Sequence, residues 1–266
     1  MSLLQPVVMG IININDDSFY VQSRAKNIDQ IIQKASQMIE DGASILDLGV
    51  MSSKPGSKIS TIEDELKGLL PALEVIRMNF PEILISVDTI HSQVASAVLK
   101  NGASMINDIS AGDFDQAMLK TVADADAPYI MMHMQGLPSD MQLNPTYDDV
   151  VMEIMKYFVH KTKQAKDAGI KDLIIDPGFG FGKTLTHNYQ LLKSLEVFQI
   201  FDIPVLAGVS RKSMIWKYLN NDADHALNGT TALHMHILQK GVKILRVHDV
   251  KEAVECVHLF NKLNQD

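Results

Sequence analysis

Cysteine is almost absent from this chain. Of its 266 residues only Cys256 carries a thiol. A single thiol cannot close an intramolecular disulfide, so the core must hold the fold, as in proteins of a reducing compartment. Tryptophan is also single. No stretch approaches the ~18 consecutive apolar residues of a membrane span. The opening MSLLQPVV lacks the basic start and apolar run of a signal peptide. Positive charge is scarce: Lys plus Arg total 24 against 32 for Asp plus Glu, a net charge of −8. An overall basic surface for nucleic acid is thereby excluded, although a local cationic cluster could still hold an anion. These absences predict a cytoplasmic protein that meets small molecules, not nucleic acid or membrane.

What the chain does have is apolar mass, 46% of its residues, in a repeated pattern. Runs at 6–13, 44–49, 83–88, 105–108, 128–133, 173–178, 204–210 and 244–249 each end in polar residues and lead into a helix-like segment. Continuous Val/Ile/Leu-rich runs are the mark of strands buried on both faces. Eight of them alternating with helices predict a single-domain α/β fold, a (β/α)8 TIM barrel, and ~250 residues is the usual length of one. Helices are expected at 28–41, 61–79, 91–101, 114–125, 147–168, 187–198, 226–240 and 250–263. Ser60-Thr61-Ile62-Glu63 reads as a capping signature for the second. Asp148 and Asp149 suit the first turn of the fifth, where the helix dipole favours them. Gly42, Gly102, Gly169 and Gly241 stand where helices should close. Cys256 reads as a small buried hydrophobe in the last helix.

In this architecture the active site lies at the C-terminal ends of the strands. Asn13, Asp47, Asp88, Asn107, Asp108, His133, Asp176, Ser210, Arg246, His248 and Asp249 occupy those ends. The glycine loop Asp176-Pro-Gly-Phe-Gly-Phe-Gly-Lys183-Thr184 is not a P-loop, because Gly178 and Gly182 have three residues between them where that motif has four. It reads instead as backbone that can approach a flat ligand, with Phe179 or Phe181 to stack on it. Asp176 before it can accept two parallel hydrogen bonds from an amidine-like edge. Any one strand-end Asp could be only a helix cap. Asp88, Asn107 and Asp176 around one ring are more than that. Arg246 and His248 have period-two spacing and are expected on one strand face, with an anion as partner. Loops after strands seven and eight often bind phosphate in this fold, which favours Lys212 and Arg246 as ligands. Arg211 reads as a solvated charge. His234 and His236 are two apart on a helix and cannot make an i,i+4 metal pair. The methionines of loop five, Met131, Met132, Met134 and Met141, read as irregular packing or an adaptable pocket wall.

MGIININDDSFY (9–20), LDLGVMSSKPG (46–56), SVDT (86–89), NDISAG (107–112), MHMQG (132–136), DPGFGFGKT (176–184), GVSRKS (208–213), LNGTT (227–231) and ILRVHDVKEA (244–253) follow one another in this order. Together they resemble dihydropteroate synthases over nearly the whole chain. The resemblance implies joining of hydroxymethyl-dihydropterin pyrophosphate to p-aminobenzoate, with release of pyrophosphate. It implies that Asp88, Asn107, Asp176, Lys212 and Arg246 hold the pterin and form the catalytic group, apart from Asn107. Asn13 would hold Mg²⁺ on the pyrophosphate, which Lys54, Arg246 and His248 would also face. Ser53, Phe181, Lys212 and Ser213 would form the aminobenzoate slot, and the family is expected to be a homodimer.

The chain departs from the family in two loops. Asn15-Asp16-Asp17-Ser18-Phe19-Tyr20 stands where Thr-Pro-Asp-Ser-Phe and a glycine pair are usual, and Lys54 replaces an arginine, losing a bidentate fork. Long polar loops at 14–27 and 50–60 are expected to close over the pterin before aminobenzoate binds. Two rivals follow. One is a corrinoid-linked methyltetrahydrofolate methyltransferase, which would not need the anion cluster. The other is a non-catalytic pterin-binding paralogue, prompted by the altered loops.

Overall fold

Strands buried on both faces must be covered on both, and the chain does this by closing its sheet around itself. The computed structural model describes residues 3–14, 24–50, 60–136 and 141–265, with the backbone alone for 24–27. Strands β1 (Val7–Asn13), β2 (Ile45–Gly49), β3 (Leu84–Asp88), β4 (Met105–Asp108), β5 (Tyr129–Met132), β6 (Leu173–Asp176), β7 (Leu206–Ala207) and β8 (Ile244–Val247) form one sheet. All neighbours are parallel, and β8 returns to pair with β1. The last seam, between β6 and β7, is thin: a bridge from Ile175 to Val205 and an Ile175 N–H to Pro204 carbonyl bond of 3.0 Å. The expected (β/α)8 barrel is therefore present. The run 204–210 yields a much shorter strand than its composition suggests.

Around the barrel lie α1 (Arg24–Glu40), α2 (Ile62–Asn79), α3 (Ser92–Lys100), α4 (Met118–Asp124), α5 (Val150–Asp167), α6 (Leu185–Lys193), α7 (Ser213–Trp216), α8 (Leu227–Gln239) and α9 (Val250–Leu263). A 3₁₀ turn, Leu195–Phe201, follows α6, where one helix was expected to run on to 198. The one-turn α7 was not foreseen. Two helix starts differ from expectation by a residue or so. Thr61, not Ser60, caps α2 by accepting the Asp64 N–H at 3.2 Å. Asp149 is the cap of α5 and not part of its first turn, accepting the N–H groups of Val151 and Met152 at 3.0 Å each. Pro71 lies inside α2, which bends the rule that proline ends a helix. Gly42, Gly102, Gly169 and Gly241 all have positive φ at helix ends, as expected.

Side chains alternate across a strand, so every second residue points into the barrel. Met9, Ile45, Met105, Ile130, Ile174, Leu206 and Ile244 meet there as one apolar layer. The next inward residue, two positions on, is Asp47 on β2, Asn107 on β4, Asp176 on β6 and Arg246 on β8. The alternation that plugs the bottom of the barrel thus lifts a polar layer above it.

Candidate active site

Three side chains of that polar layer are joined directly to one another and to Asp88 at the end of β3. The Arg246 Nε donates to Asp47 Oδ2 at 2.6 Å and its terminal nitrogen to Asp88 Oδ2 at 3.1 Å. Asn107 Nδ2 donates to the same Asp47 oxygen at 3.2 Å. Asp47 is fully buried, and Asp88 and Asn107 nearly so. Desolvation pulls the Arg246 pKa down, but Asp47 and then Asp88 outweigh it and hold the guanidinium above its ordinary value. For Asp88 burial wins over Arg246, and its pKa is raised to about 7. Among the described residues, Asp47 Oδ1 and Asp88 Oδ1 are buried without a hydrogen-bond partner. A buried carboxylate oxygen without a donor is costly, so this layer is built to receive donors from elsewhere.

Asp176 sits across the mouth, with Oδ1 accepting the Gly178 N–H at 2.8 Å. Burial raises its pKa; Lys212, the Gly178 bond and Arg246 oppose the rise. Lys212 arrives from the loop after β7. Its ammonium donates to the Phe179 carbonyl and lies 4.6 Å from the centre of the Phe181 ring. Desolvation lowers its pKa to about 8, with Asp176 raising it and Arg246 lowering it. Phe179 is fully buried in the core, so of the two loop phenylalanines Phe181 is the one at the mouth. It packs with Ile90, Ile109, Met132, Met141 and Met134. The loop-five methionines other than Met131 thus form an apolar wall at the mouth.

The glycine loop reaches this position because glycines stand where its backbone is crowded. Gly178 and Gly182 have positive φ, and a Cβ on either would strike a carbonyl oxygen, that of His133 or of Gln135. Loop five then holds the glycine loop from outside: the Tyr147 hydroxyl donates to Gly182 O at 2.8 Å, and Gln142 donates to Gly180 O.

The structure brings Asp88, Asn107, Asp176, Lys212, Arg246 and Phe181 together. Asn13 is exposed at the end of β1, and Ser213 is exposed at the first position of α7. His248 lies one residue beyond β8 at the rim, its backbone N–H donating to Ser210 Oγ at 3.1 Å and its Nδ1 3.2 Å from the same atom. Crowding and then the charge of Arg246 lower its pKa to about 4, but the ring is open to water, which screens that shift. Ser53 and Lys54 lie outside the described residues, as does most of the two loops expected to close.

Three readings need correction. Arg211 is not a solvated charge. It pairs with Asp249 through Nε and a terminal nitrogen, both at 2.8 Å, and also donates to the carbonyls of Ala223 and Asp224. Arg246 has carboxylates as its partners within the chain, where an anionic ligand alone was expected. Asp108 ends β4 but turns away from the mouth: it accepts from Ser110 N–H and Oγ, from Gly112 N–H and from the Tyr129 hydroxyl, holding the next turn. Asp47 was noted only for its place at a strand end, and the orienting of Arg246 was missed. Lys183 has no role in a reading of the loop by motif alone; the structure buries it beneath the loop, donating to the Gly178 and Phe181 carbonyls.

The family model for pterin binding enzymes matches residues 9–248. The dihydropteroate synthase of Escherichia coli strain K12 is 41% identical over 261 residues, covering 97% of this chain and 92% of that protein. The solved Yersinia pestis dihydropteroate synthase with a sulfonamide drug superposes with a TM-score of 0.92 at 38% identity, covering 99% of this chain and 96% of the other. The Xanthomonas albilineans dihydropteroate synthase with 4-aminobenzoic acid also gives 0.92, at 35% identity, covering 100% and 96%.

Proposed function

Because this chain belongs to the pterin-binding enzymes and, within them, to the dihydropteroate synthases, we infer how its barrel mouth joins a hydroxymethyl-dihydropterin pyrophosphate to p-aminobenzoate. The observation that carries the reading is the polar cluster itself: Asp88, Asn107, Asp176 and Arg246 converge around Asp47, and Asp47 Oδ1 and Asp88 Oδ1 are acceptors without a donor among the described residues. A pterin edge offers an amino group and ring N–H donors side by side, which is what the Asp47 and Asp88 oxygens lack and what Asp176 can also accept. Phe181 and the methionine wall suit the apolar ring system, and Arg246 can lie against its face.

In the reaction the methylene C–O bond breaks and its electron pair leaves with pyrophosphate. The aromatic amine's lone pair forms the new C–N bond, and the spare amine proton passes to water. Positive charge develops on the pterin methylene, and Asp88 and Asp176 stabilise it. Burial keeps them dry enough for that charge to be felt strongly. Arg246 and, at the rim, His248 face the departing pyrophosphate, with Lys54 assigned there by the resemblance. Ser213 at the start of α7 joins Phe181 and Lys212 at the aminobenzoate side, with Ser53 placed there by resemblance.

Mg²⁺ is proposed as the metal. The fit rests on donor chemistry: Asn13 is exposed at the end of β1 and carries an amide oxygen, a ligand type that Mg²⁺ accepts. Mg²⁺ takes oxygen ligands, keeps several waters and is held largely by substrate phosphates, so a site with few protein ligands suits it. When bound it would neutralise charge on the leaving pyrophosphate. A homodimer and a cytoplasmic location are further expectations from the family. No helix among the described residues is long and apolar enough to cross a membrane.

The test is calorimetry with the pterin pyrophosphate, with and without Mg²⁺, followed by turnover with p-aminobenzoate. Tight binding that strengthens with Mg²⁺, and release of pyrophosphate on adding the amine, are expected. Pterin binding without turnover would favour a non-catalytic paralogue.

A further inference from the structure

Lys183 is 2% exposed, and its hydrogen-bond partners among the described residues are three carbonyls and a histidine ring, not a carboxylate. Burying an ammonium is costly unless its protons are accepted, and a methionine would fill the same volume without that cost. Its protons are accepted by the loop that carries it. Nζ donates to Gly178 O at 2.7 Å and Phe181 O at 3.0 Å, reaches His133 O at 3.4 Å, and stands 3.1 Å from His133 Nδ1. An ammonium has three N–H donors and a free amine two. The charged form is the one that matches this set of acceptors, although desolvation holds the Lys183 pKa well below its ordinary value, with Asp176 raising it and Lys212 lowering it. His133 is kept neutral, its pKa lowered to about 2 by burial and then by Lys183, so Nδ1 is free to accept. The imidazole is itself wedged edge-on against Tyr157 at 4.9 Å between ring centres.

The loop's carbonyls are thus sorted between two lysines. Those of Gly178 and Phe181 turn inward to Lys183, and that of Phe179 turns to Lys212. We propose that Lys183 is a positioning residue for the second substrate: by holding the Phe181 carbonyl inward from beneath the loop, it fixes the Phe181 ring and the Lys212 ammonium above it as the seat of the aromatic amine. The near end of the loop depends on it less. Gly178 is already pinned by packing on the His133 carbonyl and by its N–H bond to Asp176. Loss of Lys183 therefore harms the amine seat more than the pterin seat. This rests on the synthase reading for the name of the amine, but not for the clamp itself.

The variants are Lys183→Met, which keeps length and loses the donors, and Lys183→Gln, which keeps an amide donor. Lys183→Met is expected to raise the KM for p-aminobenzoate at least tenfold while the Kd for pterin pyrophosphate changes less than threefold, with Lys183→Gln recovering part of the loss. Equal losses for both substrates, or an unchanged KM, would overturn the proposal. Amide hydrogen exchange gives a readout independent of turnover. Gly180 N–H, bonded to Asn188, and Phe181 N–H, bonded to Gly178, should exchange at least tenfold faster in Lys183→Met, with strand amides unchanged. If wild-type protein shows no synthase activity, faster exchange still supports the clamp, and unchanged exchange refutes it. Should Lys183→Met fail to fold, His133→Phe removes one acceptor while keeping a ring. It should show the same pattern more weakly, and its absence there would count against the proposal.

Discussion

The barrel has two floors, built by the same strands two residues apart, and they obey opposite rules. The lower floor of Met9, Ile45, Met105, Ile130, Ile174, Leu206 and Ile244 has no polar atom to satisfy, and close packing is all it needs. The upper floor puts Asp47, Asn107, Asp176 and Arg246 on the same inward positions, keeps all but the part-exposed Arg246 nearly as dry, and, with Asp88 beside it, leaves carboxylate oxygens unpartnered among the described residues. The lower floor can be explained by stability alone. The upper one is expensive for stability and makes sense when a ligand completes it. That contrast locates function one step along each strand from structure.

The largest expected break is at the upper floor. Arg246→Met strands Asp47 and Asp88 as buried carboxylates without a counter-ion. Removing one partner of a buried pair costs about 3–5 kcal/mol, so denaturant unfolding should show a loss of that order, and turnover should vanish. Ile174→Ala, on the lower floor and two residues before Asp176, should cost about 2–5 kcal/mol of stability through a cavity. The folded fraction should nevertheless bind pterin with unchanged affinity. If Ile174→Ala weakened pterin binding as strongly as upper-floor changes do, the two floors would not be separable.

A change of pH sharpens the comparison without mutation. With its pKa raised to about 7, Asp88 in the free protein takes a proton as pH falls through that value. Pterin affinity measured by calorimetry should then fall about tenfold per pH unit below 7, the behaviour of one required carboxylate. The sign for folding is opposite. A carboxyl raised in the folded state contributes stability that is present below the unfolded value near 3.9 and is lost as pH rises through about 7. Asp88→Asn should abolish the acid limb of binding. Above about pH 8, loss of the Lys212 proton should weaken the site again.

The smallest effect lies outside the site. His234 is buried on α8 with neither ring nitrogen partnered among the described residues, and burial lowers its pKa to about 4. The unfolded chain protonates it first, so stability is lost as pH falls from 6.5 towards 4. His234→Leu should raise the melting temperature by a few degrees at pH 5 and change it little at pH 8.

The upper floor was legible in the sequence because strand ends announce themselves: an apolar run stops at a polar residue, and period-two spacing says which residues share a side. What those residues touch was not legible. The Arg211–Asp249 pair spans 38 positions and Arg246–Asp47 spans 199. No local pattern encodes such contacts. Lys183 was hidden for a related reason, since a lysine in a glycine loop suggests phosphate until its burial is seen. The strand β7 and the helix α7 are too short for periodicity to register. The closing of the first two loops, with Ser53 and Lys54 on the second, lies outside the described residues. Its expectation stands on the sequence alone: aminobenzoate should bind detectably only after pterin and pyrophosphate.

The central claim is that the upper floor is a pterin seat and not a structural charge cluster. Asp176→Asn tests it most directly, because it keeps the shape and one acceptor and removes the charge. Calorimetry of pterin pyrophosphate binding at pH 8 should show a loss of about 1.5–3 kcal/mol, the range for a hydrogen bond to a charged group, with the melting temperature nearly unmoved. Unchanged affinity, or a collapse in stability without a specific loss of pterin binding, would contradict the account.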